Sequence, residues 1–344
     1  MTFEIHRGTN ISHWLSQRDW LSPSEDRGRQ RRAWFTRTDV QLLAELGLDH
    51  LRIPIDEVEM WDEHRRRDAE AFGLLDDALD WCAEAGLRAI VDLHILRTHY
   101  FTDNPEQRLF TDPAETGRFA GLWTDLSAHL RRRPLDRVAY ELMNEPVARD
   151  PADWNRVARA GYDAVRREEP DRTIVLGSNR WSMPASFHEL AVPPGDPHLI
   201  LTFHFYNPLP VTHYRASWAP LAKYEGPVHY PGQPVPPHEW PHLSVEMKEL
   251  LAPWNLFYNA GVMERDLAPP LAVRKETRLP LYCGEFGCIN LAPDDARKAW
   301  YRDFRSVLEK HGIAWANWDY QGGFGIVGRG GQPDQEFIKV LLGQ

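Results

Sequence analysis

Cysteine, long apolar runs and surplus basic charge are all scarce in this sequence. Only Cys82, Cys283 and Cys288 occur in 344 residues. So small and odd a set makes no disulfide framework. The spacing from Cys283 to Cys288 does not fit a C-x-x-C redox or zinc pair. Cys82 and Cys283 read instead as small core residues. No stretch of about 18 apolar residues exists, so neither a span nor a membrane partner is expected. The opening residues, MTFEIHRGTNISHW, hold no basic region followed by an apolar one, so no signal peptide is visible. The chain as written is expected in the cytoplasm, or outside the cell if a leader has been removed. Forty Lys and Arg stand against fifty Asp and Glu, a formal net charge of −10. A nucleic-acid partner needs clustered cations and is not expected. The one dense basic run, Arg29 with Arg31 and Arg32, reads as a solvated loop.

Short apolar runs alternate with longer amphipathic ones, the pattern of an α/β chain with a parallel sheet. The short runs are Phe3–Gly8, Leu48–Pro54, Leu87–His94, Val138–Asn144, Thr173–Ser178, Leu199–Tyr206, Pro280–Glu285 and Ile313–Trp318. Several are almost continuously apolar, as strands buried on both faces are. Between them, helical spacing links Leu75, Ala78, Leu79 and Cys82, with Gly86 at the capping position. The same spacing links Trp154, Val157, Ala158, Gly161, Tyr162 and Val165, and again Ala296, Trp300, Phe304, Val307 and Leu308. The third of these helices should open at Pro293-Asp294-Asp295 and stop at Gly312. Eight strands with helices between them point to a closed (β/α)8 barrel as a single domain over residues 1–344. A barrel of this type commonly takes roughly 250 residues, more with long loops. An open doubly wound sheet is the alternative, but the glycine fingerprint of a dinucleotide-binding sheet is missing after the first strand. One stretch breaks the rhythm. Residues Asn207 to Trp254, after the sixth strand, form a segment too long for an ordinary loop. It reads as a wall of the site, with a packing excursion as the alternative.

Chemistry collects at the carboxyl ends of the strands, which in a barrel meet at one mouth. The second strand ends near Arg52 and the third in Asp92 and His94. The fourth runs into Asn144 and Glu145. The sixth ends in His204 and Tyr206, the seventh in Glu285 and the eighth in Trp318. So many polar groups are costly to bury without partners or a task. Two carboxylates on different strands suit glycoside hydrolysis, one as proton donor and one as nucleophile, at roughly 5 to 5.5 Å in retaining enzymes. Asn144 and the histidines are placed to tune Glu145. Arg52 and Tyr206 are placed to keep Glu285 ionised. Trp318 offers a flat face for a sugar ring. Trp14, Trp181, His99 and Tyr100 are open between subsite and packing roles.

The motifs Leu51-Arg52-Ile53-Pro54, Asp92-Leu93-His94, Asn144-Glu145-Pro146, His204-Phe205-Tyr206, Gly284-Glu285-Phe286-Gly287 and Trp318 with Gly323-Phe324-Gly325 occur in this order. In them the chain resembles glycoside hydrolase family 5, over essentially its whole length. The resemblance implies Glu145 as acid/base and Glu285 as nucleophile. It implies Asn144 on the sugar 2-hydroxyl, Arg52 and Tyr206 orienting the nucleophile, His94 and His204 lining the sugar site, and Trp318 as its platform. It implies no cofactor and no metal. A barrel metallohydrolase would want a His-x-His pair on the first strand, which ends here in Thr9-Asn10-Ile11.

The expected function is thus a retaining hydrolase of β-1,4-linked glucans or related oligosaccharides, of cellulase type. An exo-acting β-glucosidase or β-mannosidase on small oligosaccharides is the alternative. A carbohydrate-binding protein without catalysis and a metallohydrolase are the readings from other classes. Oligosaccharide or polysaccharide is the expected partner.

Overall fold

The computed structural model describes residues 3–18, 27–102, 107–328 and 331–344. Eight strands close in sequence order into a barrel. They are β1 Arg7–Asn10, β2 His50–Asp56, β3 Arg88–Ile95, β4 Val138–Glu141, β5 Ile174–Gly177, β6 Leu199–Phe205, β7 Leu281–Phe286 and β8 Ala314–Asn317. The ladders joining β1 through β6, and that of β7 with β8, are parallel. Residues of β2, β4, β5, β6 and β7 are buried along their whole length. This is why these strands read as largely apolar runs.

The three amphipathic stretches are helices over Ala69–Glu84, Pro151–Glu168 and Asp294–Lys310. Their starts follow local chemistry. The side chain of Asp68 accepts a hydrogen bond from the Ala71 amide. Asp150, followed by Pro151 at the first helical position, accepts from Ala152. Gly86 and Gly312 take positive φ where those turns end.

Two expectations need correction. The first strand lies at Arg7–Asn10 rather than over Phe3–Gly8. Phe3 and Ile5 instead pack with Ile90, Ala139, Val175, Ile200, Tyr282 and Ala316, residues near the amino ends of their strands. They plug the barrel floor, and their alternation mimics a strand. The basic run is not a solvated loop. It lies in the helix Arg27–Trp34, and Arg31 is buried in an ion pair with Glu59. Removing a buried guanidinium from water demands such a partner.

By its contacts the chain divides into two compact units. The first comprises Met1–His204, Pro269–Gly284 and Ala314–Ala316, and carries the barrel ladders. The second comprises Phe205–Ala268, Glu285–Ile313 and Asn317–Gln344. It holds the long segment after β6, which folds into short helices over Leu209–Thr212, Pro220–Lys223, Trp240–His242 and Val245–Leu251. Its core is aromatic: Phe205 stacks on Phe304 at 4.1 Å between centroids, and Phe286 and Trp300 pack on the same ring. The division falls inside β6, between His204 and Phe205, inside β7, between Gly284 and Glu285, and inside β8, between Ala316 and Asn317.

Candidate active site

In the first unit the site grows from one buried guanidinium. Arg52, in the middle of β2, is fully buried, so its charge must be met within the protein. Its Nε and Nη2 donate to the two oxygens of Glu141 at 2.7 and 2.8 Å, a bidentate pair. Nη2 also donates to Asn144 Oδ1 at 2.9 Å and lies 3.0 Å from Asp92 Oδ2. Nη1 donates to Asn10 Oδ1, and the Asn10 amide in turn donates to the Gly284 carbonyl at 2.9 Å. Arg52 thereby fixes Asn144 directly, and through Asn10 it reaches the residue before Glu285. Gly284 is required at that position. A Cβ there would stand 2.7 Å from Thr202 Oγ1 on the neighbouring strand.

Two carboxyls face this one cation. Burial pushes Asp92 and Glu141 each up to about 7, against the pull of Arg52. An excess of buried negative charge is costly, and retaining a proton relieves it. Asp92 Oδ2 also accepts from His94 Nδ1 at 2.7 Å. Glu141 was not among the expected residues. The signal was present, since an acid in the middle of the run Val138-Ala139-Tyr140-Glu141-Leu142 must find a buried cation.

Glu145 follows β4 with a φ of +42°, a left-handed conformation that is strained for a residue with a Cβ. Its Oε1 accepts from His204 Nδ1 at 2.8 Å. Burial, then Arg52 and His94, push the His204 imidazole well below its usual pKa, so the ring is neutral. The loop beyond β5 braces the same segment. Asn179 accepts from the Ala148 amide and donates to its carbonyl, both at 2.9 Å, and the Trp181 amide donates to the Pro146 carbonyl. Arg180, Trp181 and Ser182 are three successive left-handed residues, none of them glycine. They aim the half-buried Trp181 indole at the Phe101 carbonyl, 2.6 Å away. Trp14 is plain core, its indole donating to the Arg31 carbonyl. Tyr100 is exposed and stacks on Phe101.

His99 is buried, and neither ring nitrogen has a hydrogen-bond partner among the described residues. Burial, then His94, holds its pKa down at about 3. A folded pKa below the ordinary 6.5 adds stability above that value, and the stability is lost as pH falls toward 3. His99→Phe, whose ring can keep the edge-on contact to Phe110, is expected to stabilise the protein by about 1 kcal/mol at pH 7. The gain should be larger at pH 5. Melting temperatures at the two pH values test this, and a gain that shrinks on acidification would refute it.

In the second unit, Tyr206 donates its hydroxyl to Glu285 Oε2 at 2.9 Å. Glu285 is buried. The long segment supports this pair. Thr212 donates to the Tyr206 carbonyl, and His213 packs edge-on against the Tyr206 ring at 5.1 Å. Burial lowers His213 to about 4, so it is neutral near pH 7. Phe324 closes the cluster, 6.1 Å from Tyr206 and 5.7 Å from His213. Trp318 is buried, and its amide donates to the Phe286 carbonyl at 2.8 Å. Gly287 leaves room for this approach, since a Cβ there would stand 2.6 Å from the Trp318 carbonyl oxygen.

At this site Asp92 and Glu141 pair with Arg52, His94 with Asp92, and His204 with Glu145. No helix among the described residues is long and apolar enough to cross a membrane.

The profile of the cellulase family, glycosyl hydrolase family 5, matches residues 24–323. The chain is 31% identical to Endoglucanase C of Acetivibrio thermocellus over 97% of both chains. It is 26% identical to Cellodextrinase A of Ruminococcus flavefaciens, over 90% of this chain and 84% of that one. Among solved structures, a hyperthermophilic endo-β-1,4-glucanase in complex with substrate superposes with a TM-score of 0.78 at 20% identity, over 99% of this chain and 97% of its own.

Proposed function

The chain belongs to glycosyl hydrolase family 5 and is a glycoside hydrolase, and on that premise we propose that it cleaves β-1,4-linked glucans with retention of configuration. Glu285 is the nucleophile and Glu145 the acid/base. The Glu285 carboxylate attacks the anomeric carbon as the glycosidic C–O bond breaks, and the leaving oxygen takes the proton of Glu145. Water then gives a proton to Glu145 and attacks the same carbon, releasing Glu285.

The observation that carries this assignment is the placement of the two glutamates in the ordered motifs, Glu145 just beyond β4 and Glu285 within β7 beside Tyr206. Glu285 accepts a hydrogen bond from the Tyr206 hydroxyl, which favours the ionised form a nucleophile needs. Glu145 accepts from a neutral imidazole, a partner that leaves it able to take up and release a proton. Asn144, held by Arg52, is the group for the sugar 2-hydroxyl. His94 and His204 line the sugar site, and Trp318 is the platform beneath the ring. Arg52 and Tyr206 orient the nucleophile, Arg52 through Asn10 and Gly284. Residues 1–344 work as a single catalytic domain, since the polypeptide passes between its two units within β6, β7 and β8. Neither unit can be excised without cutting a strand.

The relatives support this substrate, since their names include endoglucanases and a cellodextrinase. On carboxymethylcellulose, viscosity should fall faster than reducing ends appear, and cellohexaose should yield mixed short products. Release of glucose alone from one end would overturn endo action. A preference for mannohexaose over cellohexaose would overturn the gluco assignment.

A further inference from the structure

The loop after β1 brings to the sugar site a residue that the motifs and the catalytic scheme leave unused. Leu15 bridges Ile55 in parallel register, and the Asp56 amide donates to the Leu15 carbonyl at 2.9 Å. The Gln17 amide donates back to Asp56 Oδ2 at 2.8 Å. Its carbonyl lies 3.3 Å from His13 Nδ1. The backbone of Gln17 is therefore tied on both sides, and it is held at a φ of +53°. A left-handed conformation is costly for a residue with a Cβ, and such costs concentrate where a side chain must be aimed. The aim is at His94. The Gln17 side-chain nitrogen stands 3.3 Å from His94 Nε2, and Gln17 remains half-buried rather than sealed in the core.

The tautomer follows from the other ring nitrogen. His94 Nδ1 faces Asp92 Oδ2 and donates to it, which leaves Nε2 to accept from the Gln17 carboxamide. At 3.3 Å this contact is at the long end for a hydrogen bond. A carboxamide holds a donor and an acceptor, the imidazole Nε2 is an acceptor, and a sugar hydroxyl can donate and accept at once. A hydroxyl set between the two groups satisfies both better than they satisfy each other.

We propose that Gln17 is a specificity-determining residue that, together with His94, reads one ring hydroxyl of the glucan. The proposal rests on the function given above. It assigns Gln17 to the binding of a hexopyranose hydroxyl, beyond the positions carried by the family motifs.

The test uses the full chain and aryl β-cellobiosides that each lack one hydroxyl of the sugar bearing the aryl group. Gln17→Gly removes the side chain while suiting the left-handed backbone, so its melting temperature should not fall. In the wild type, one deoxy position should cost about 10- to 100-fold in kcat/KM. In Gln17→Gly the parent substrate should lose a similar factor. Deoxygenation at that one position should then cost nothing further, while the other positions keep their penalties. Gln17→Glu, which keeps acceptors but loses the donor, should lie in between. Undiminished turnover of the parent by Gln17→Gly would overturn the proposal. So would deoxy penalties identical in variant and wild type, the signature of a residue that only props His94. Failure of the wild type to hydrolyse any aryl β-glycoside would instead remove the proposed function, and this inference with it.

Discussion

Replacing Glu285 by alanine is expected to lower kcat/KM on an aryl β-cellobioside by on the order of 10⁴- to 10⁶-fold, as loss of a covalent nucleophile does elsewhere. The reason is local. Glu285 is buried at the end of β7, and the Tyr206 hydroxyl holds it in place. Azide added to Glu285→Ala should occupy the vacated space and attack from the side that Glu285 uses. One displacement then replaces two, and the glycosyl azide should carry the inverted, α configuration. Full activity in this variant would contradict the assignment, and a β-azide would move the nucleophile elsewhere.

Glu145→Ala should behave differently, and the difference separates the two roles. General acid catalysis is typically worth about 10²- to 10⁴-fold. The loss should be large for substrates with poor leaving groups, which need protonation as the bond breaks. It should be small in the first step for dinitrophenyl glycosides, which do not. With such a substrate the second step has lost its base, so a glycosyl-enzyme should accumulate and be seen as a burst of phenolate and a lowered KM. Azide should now attack that intermediate and give the β product. Equal losses on good and poor leaving groups, with no burst, would show that Glu145 is not the proton donor.

Much of this site was legible in the sequence because barrel strands buried on both faces announce themselves. The runs around Leu51, Ile90 and Leu201 are mostly apolar, and the polar residues within them and at their ends stand out. The ordered motifs then located Glu145, Glu285, Asn144 and Arg52. What the sequence hid were features set by tertiary contact. Phe3 and Ile5 carry a strand's alternation but serve as a floor, and no local signal separates these uses. Arg31 looks like a surface charge until Glu59 is brought to it by another element. Glu141 could have been deduced as the buried partner of Arg52, but the pair lies 89 residues apart. The left-handed turn Arg180-Trp181-Ser182 and the left-handed Gln17 lack the glycine or asparagine that normally marks such backbone. Their conformations are imposed by the Pro146 carbonyl and by Asp56. Local propensity therefore misleads at the places where the fold spends strain to aim a side chain.

The assignment of Glu285 as nucleophile and Glu145 as acid/base requires two inversions at one carbon. Following cellopentaose hydrolysis by proton NMR, before mutarotation sets in, reads the configuration of the first product directly. The account predicts that the β-anomer signal of the new reducing end appears first and the α-anomer signal only later. Initial formation of the α-anomer would mean a single displacement by water and would contradict the roles given to both glutamates.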